Sequence, residues 1–235
     1  MLPDVSVNNY AERTCYYMSR KTFEHELETL KNEFVQMGVL IEEAIENSIK
    51  AFSSGDAQLA QEVCDNDRYV NISEKNIQSH ALVLMLRQQP VAKDLRAVSA
   101  ALRAATDMER IGDQAADIAE LVLRLSKNGE PKLSERICEM SSIAVSMVKS
   151  CVRAYASGDC ELAKQVIAQD DKIDALFADI TRDIASALRN NDDVDVCIDL
   201  LMIAKHFEKI GDHAVNISEW TIFCKTGTLN NVKLI

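Results

Sequence analysis

Helix breakers are scarce in this chain. Only 7 glycines and 3 prolines are spread over 235 residues, and aromatic residues make up 5%. A sheet protein of this length needs turn residues every few positions and strand-favouring side chains between them. The shortage of both points to long helices. The 7 cysteines, Cys15, Cys64, Cys138, Cys151, Cys160, Cys197 and Cys224, are odd in number and scattered, and none forms a C-x-x-C pair. That pattern suggests neither a zinc knuckle nor a redox pair; the thiols are expected to be reduced and mostly buried. No apolar run approaches the roughly 20 residues that span a bilayer. Asp4, Asn8, Asn9 and Glu12 stand where a signal peptide would have its apolar segment. A soluble, cytoplasmic protein is expected. P-loop, G-x-G-x-x-G, H-E-x-x-H and G-x-S-x-G motifs are all missing, as is the Glu-x-x-His pair of di-iron bundles. With no nucleophile–base arrangement and no cofactor loop, an enzyme is not expected.

What is present is a large apolar fraction, 47%, enough for a sizeable core, and a formal net charge of -11. The acidic balance repels phosphate backbones and sets nucleic acid aside as a partner, while favouring cations or basic protein surfaces.

The chain reads as an all-α protein of two tandem antiparallel three-helix bundles, six long helices related by a pseudo-twofold internal repeat. Residues 1–19 form a polar leader. The first bundle spans 20–128. Its first helix shows Phe23, Leu27, Leu30, Phe34, Met37, Ile41, Ile45 and Ile49 at three- and four-residue intervals, one helix face. Ser54-Gly55-Asp56 stops it and caps the next helix, expected over 57–87. Gln88, Gln89 and Pro90 break that helix, and a third is expected over 91–126. Lys127 to Pro131 is the clearest linker. The second bundle, 132–225, repeats the plan: a helix over 133–156, then Ser157-Gly158-Asp159, a helix to about Arg189, a turn at Asn190 to Asp193, and a last helix over 194–223. A polar tail occupies 226–235.

The repeat extends to individual residues. ERIGDQAADIAE begins at Glu109 and EKIGDHAVNISE at Glu208, so Gly112 matches Gly211 as Gly55 matches Gly158. On the third helix Met108, Ile111, Ala115, Ile118 and Val122 share one side; Glu109, Asp113, Asp117 and Glu120 share the other. Glu109, Asp113 and Asp117 thus form an i, i+4, i+8 column of like charges, which is destabilising by a few tenths of a kcal/mol per pair, roughly. A cation held by several carboxylate oxygens is one reason to keep such a column; a solvated acidic face relieved by Arg110 and Lys209 is the other. The matched glycines each cost about 1 kcal/mol inside a helix, which calls for close backbone approach or for open space beside the carboxylates. The preceding helix of each repeat offers partners: Asp170 and Asp174 in the second copy, Asp67 and Asn71 in the first. His213 falls within the second motif and is a candidate lining residue or ligand; His80 and His206 read as surface or packing residues.

The stretch PVAKDLRAVSAALRAATDMERIGDQAADIAE from Pro90 closely resembles the signature helix of the PhoU family, and HFEKIGDHAVNISEW from His206 resembles its second copy. The resemblance covers about residues 20–225. It implies two similar three-helix bundles in a cytoplasmic accessory protein of the phosphate ABC transporter. Such a protein would be a negative regulator of phosphate uptake and of the phosphate-starvation response. It would link the transporter's ATPase subunit to a sensor histidine kinase, be a homodimer, and meet the membrane only through its partners. It further implies metal ions, iron or zinc, with magnesium or manganese as further options, on Asp67, Glu109, Asp113, Asp170, Asp174, Glu208 and Asp212; geometry adds Asp117. Asn71 departs from the acidic pattern, which makes the second bundle the stronger expected site. A metal-binding bundle or a plain scaffold unrelated to phosphate is the alternative.

Overall fold

The computed structural model describes residues 20–126, 134–229 and 232–233. The expected leader, the Lys127–Pro131 linker and part of the tail lie outside the described residues. The first bundle is α1 (Arg20–Ser54), α2 (Ala57–Gln88) and α3 (Lys93–Leu125). The second is α4 (Ser134–Ser157), α5 (Cys160–Ile167), α6 (Asp170–Arg189) and α7 (Val194–Thr226). No helix among the described residues is long and apolar enough to cross a membrane.

The apolar stripe of α1 is buried as its periodicity requires: Phe34, Met37, Ile41 and Ile45 have no solvent contact. Both S-G-D turns close in one way. Gly55 and Gly158 adopt left-handed backbone, φ 65° and 66°. The amides of Asp56 and Asp159 reach back to the carbonyls of Ala51 and Ala154 at 3.0 and 2.9 Å, which terminates the helix. The same two aspartates then accept hydrogen bonds from the first-turn amides of the next helix.

Three local expectations are corrected. The helix expected to run unbroken from Asp159 to Arg189 tightens at Ala168–Gln169. There Gln169 N donates to Val166 O (2.9 Å) and Lys172 N to Gln169 O (3.0 Å), the i to i+3 pattern of a 3₁₀ turn. Both residues keep right-handed helical dihedrals, so α5 and α6 occupy the place of one rod and the six-rod plan stands. Asp170 and Asp171 are poor interior helix residues but good first-turn residues, where a carboxylate meets the positive end of the helix dipole. The third helix starts at Lys93 rather than Val91, because Gln89 and Ala92 take positive φ, 44° and 49°, on either side of Pro90–Val91. Finally, α7 runs to Thr226. The expected polar tail then makes a small antiparallel hairpin, β1 (Thr228–Leu229) with β2 (Val232–Lys233), after Gly227 turns the chain at φ 72°.

The central helices are α3 and α7, which pack on each other and each on the helices of its own bundle; α1 and α4 form the second cross-bundle contact. Side-chain bonds reveal the pseudo-twofold. His213 Nδ1 donates to Asp107 Oδ1 (2.9 Å), and His206 Nδ1 donates to Gln114 Oε1 (2.8 Å). Asp107 and Gln114 stand in the first repeat where His206 and His213 stand in the second, so each bond is the other's symmetry mate. The two E-[RK]-I-G-D segments therefore cross antiparallel at the centre of the molecule.

Candidate functional site

Each acidic column lies in the groove between α3 and α2, or between α7 and α6, and the matched glycine sets the depth of that groove. A Cβ on Gly112 would sit 2.8 Å from Val70 Cγ1. A Cβ on Gly211 would sit 3.0 Å from Ile173 Cδ1 and 3.2 Å from Asp170 Oδ1. Of the two reasons a glycine invites, close approach is the one found at both positions. Val70 lies one turn after Asp67, and Ile173 one turn after Asp170. Seating the apolar residue against the glycine brings the aspartate onto the carboxylate column.

In the first bundle this gathers Asp67, Glu109, Asp113 and Asp117. Burial pushes the carboxyl of Asp67 above its usual range, and Asp113 and Asp117 push it further, against the Asn71 amide that donates to it at 2.7 Å. Burial, then Asp113, raises Glu109, with smaller pushes from Glu74 and Asp67. Asp113 is raised by burial first, offset by Arg110 and helped by Asp117. Asp117 stands at the outer end, half exposed, and leans to His206 Nδ1 at 3.6 Å. In the second bundle the groove gathers Asp170, Asp174, Glu208 and Asp212. Asp170 is pushed up to about 6, by burial first and then by Asp174, Asp212, Glu208 and Asp171.

Cations temper both columns. Arg110 lies 3.4 Å from Asp113 and 3.6 Å from Glu109. Lys205 donates to Glu208 at 2.6 Å, and Lys209 donates to Asp212 at 2.7 Å. Among the described residues one buried carboxylate oxygen, Asp67 Oδ1, has no hydrogen-bond partner, while its counterpart in the second groove, Glu208 Oε2, has only an ion pair with Lys209 at 3.5 Å. A buried acceptor of this kind costs roughly 1–3 kcal/mol unless something donates to it or coordinates it. The donor set, all carboxylate oxygen, fits a hard or borderline cation in kind. As the side chains stand, no three His, Cys, Asp or Glu groups among the described residues converge closely enough to hold a metal ion.

Several residues escaped sequence reasoning. Glu74 joins the first column, where it accepts from Thr106 Oγ1 at 3.3 Å and acts on Glu109. Its signal was available: it lies seven residues after Asp67, on the same helix face. With Glu74 the first column has five carboxylates against one arginine, while the second, counting Asp171 on the same ground, has five against two lysines. His213 bonds to Asp107 and also acts on Asp113 of the first column, whose carboxyl it pulls down. Asp107 is a hub, accepting also from Asn216 Nδ2 (3.1 Å) and Trp220 Nε1 (3.3 Å). His80 is no idle packing residue: its ring nitrogens lie 2.9 Å from Glu33 and 3.0 Å from Glu26 of α1. Both arrangements depend on which helices are neighbours, and spacing within one helix does not carry that information.

The PhoU domain matches this chain twice, over residues 34–122 and 137–221. The chain belongs to the PhoU family. Each match ends just beyond the groove described above, so both copies of the motif fall inside the PhoU domain. Among relatives, a phosphate-specific transport system accessory protein PhoU homolog from Rhizobium meliloti is 32% identical over 207 residues, covering 87% of this chain and 87% of its own. A homolog of the same description from Clostridium acetobutylicum is 32% identical over 212 residues, 89% of this chain and 97% of its own. The crystal structure of PhoU from Pseudomonas aeruginosa superposes with a TM-score of 0.85 at 30% identity, covering 88% of this chain and all (100%) of that one. These PhoU relatives are described as accessory proteins of a transport system, not as enzymes.

Proposed function

We propose that this protein is a negative regulator of phosphate uptake and of the phosphate-starvation response. In this reading it acts as a cytoplasmic adaptor between the ATPase subunit of a phosphate ABC transporter and a sensor histidine kinase. The observation that carries it is the near-full-length likeness to phosphate transport accessory proteins, with both PhoU domain copies present. The form of the molecule agrees with an adaptor. Long helical rods offer extended faces to partners.

The acidic grooves are read as cation sites. Asp67, Glu109, Asp113 and Asp117 would hold the ion in the first bundle; Asp170, Asp174, Glu208 and Asp212 would hold it in the second. Iron, zinc, magnesium and manganese all accept such oxygen donors. A bound cation would neutralise the mutual repulsion of the column and satisfy the unpartnered oxygen of Asp67. The charge balance favours the first bundle as much as the second, because Glu74 offsets the loss at Asn71 and Lys205 and Lys209 already serve the second column.

Three experiments test the reading. Affinity capture of the tagged chain from phosphate-replete cells should recover the transporter ATPase subunit and a sensor kinase, and recovery of neither would contradict the adaptor role. Elemental analysis of untagged protein, wild type against an Asp113→Ala, Asp212→Ala double variant, reads the metal sites directly. Equal metal content in both would show the assignment of ligands to be wrong. Light scattering of the purified protein should give the mass of a homodimer; a monomer at micromolar concentration would contradict that part.

A further inference from the structure

A second site lies apart from the acidic grooves: a cavity of about 650 Å³ where the start of α1, the start of α3, the end of α4 and the end of α7 meet. Four cations, Arg20, Lys31, Lys93 and Lys225, and three carboxylates, Glu24, Glu28 and Asp94, line it, an excess of positive charge in a chain of net charge -11. Arg20 is bound to Asp94 and Glu24, and Lys31 lies 3.9 Å from Glu28. Lys93 and Lys225 have no acidic partner among the described residues. Lys225 lies across Gly158, its Cε 3.5 Å from where a Cβ would stand.

Tyr155 gives the cavity a buried polar wall. Its ring packs on Phe34 with centroids 4.3 Å apart, and only 8% of the residue is exposed. Its hydroxyl makes no hydrogen bond among the described residues and is not sealed in the core, so it is free to meet a ligand in the cavity. Burial drives the hydroxyl well above its ordinary pKa, so it stays protonated and available to donate. The positive field reaches Cys224 on the facing wall: burial raises that thiol to about 11, while Lys31 and Arg96 pull it back. Leu27, Leu30, Ala97 and Ala101 supply an apolar wall beside these donors.

We propose that this cavity binds a small organic phosphate ester of nucleotide size, its phosphate held by Lys93, Lys225 and the Tyr155 hydroxyl and its organic body against Leu27, Leu30 and Ala97. The volume falls in the range of small-molecule sites, about 300–1,000 Å³, and far exceeds what a free phosphate ion fills. Anionic charge meets the two uncommitted lysines, and a phosphate oxygen supplies the acceptor that Tyr155 lacks. Such a ligand would touch α1 and α3 of one bundle and α4 and α7 of the other, so it would stabilise their docking by mass action. The cavity shares no residue with the acidic grooves, so the two assignments can fail separately.

The test is isothermal titration of the full chain, EDTA-treated, with AMP, with ADP and with inorganic phosphate. Binding of AMP or ADP is expected, at least tenfold tighter than inorganic phosphate and weakened by added salt. Lys93→Gln with Lys225→Gln should weaken it at least tenfold. Tyr155→Phe should weaken it several-fold while leaving the melting temperature of the free protein within about a degree, because the hydroxyl it removes makes no hydrogen bond among the described residues. Absence of heat with both nucleotides, or equal affinity in wild type and the lysine variant, would overturn the site. Inorganic phosphate binding as tightly as AMP would overturn the role of the apolar wall.

Discussion

Replacing Gly112 by alanine isolates the contact that builds the first groove. The added Cβ would meet Val70 Cγ1 at 2.8 Å, about 1 Å inside ordinary carbon–carbon contact. Val70 is 2% exposed and has no open space to retreat into, so α2 must shift from α3. Overpacking of this kind costs about 1–3 kcal/mol, and the better helix propensity of alanine returns about 1 kcal/mol. The net loss should be roughly 1 kcal/mol, a fall of about 2–4 °C in Tm for a chain of this size. Val70→Ala removes two buried carbons and should cost about 2 kcal/mol. In the double variant the new Cβ fills the space Val70 vacated and the helix gain remains. It should therefore be roughly 2 kcal/mol more stable than the sum of the single effects predicts. Urea unfolding of the four proteins in EDTA, followed by far-UV circular dichroism, closes the cycle. Additivity within about 0.5 kcal/mol would refute the claim that Gly112 exists to seat Val70.

Three further perturbations have defined outcomes. Gly55 has φ 65°, and a Cβ added there would meet nothing within 4 Å, so Gly55→Ala should cost about 1 kcal/mol from backbone strain alone, with no rescue from any neighbour, by chemical denaturation. Asp170 holds its proton to about pH 6 when folded but only to about pH 3.9 when unfolded. The folded state thus binds more protons between those values, and metal-free protein should lose stability as pH rises from about 4 to about 6; Asp170→Asn should flatten that slope in a pH series of melting temperatures, and an unchanged slope would place the titration elsewhere. Asp107→Ala strands the donors of His213, Asn216 and Trp220, and should cost roughly 3 kcal/mol with a changed emission of the single tryptophan, Trp220; intact stability would mean that the hub is not structural.

Sequence periodicity located every long helix because each apolar stripe is buried against a neighbour over most of its length, as in α1 and α3. It placed the S-G-D turns for a reason visible in the dihedrals, since only glycine enters left-handed backbone freely before a capping aspartate. The acidic columns were legible from i, i+4 spacing within one helix. What faces them was half legible: Asp67 and Asp170 follow from the repeat, but Glu74 has no acidic counterpart in the second copy, where Phe177 stands. The interruption at Ala168–Gln169 was missed because Asp170 and Asp171 read equally as polar positions of a continuing helix. The Asp107 hub and the His80 bridge were missed because each joins residues on different helices, 106 and 47 positions apart in the two closest bonds.

The central claim, that this PhoU family member restrains phosphate uptake and the starvation response, is tested most directly by alkaline phosphatase activity in phosphate-replete cells lacking its gene. High, derepressed activity is predicted, returned to the repressed level by the wild-type gene. Activity that stays repressed in the deletion strain would contradict the claim.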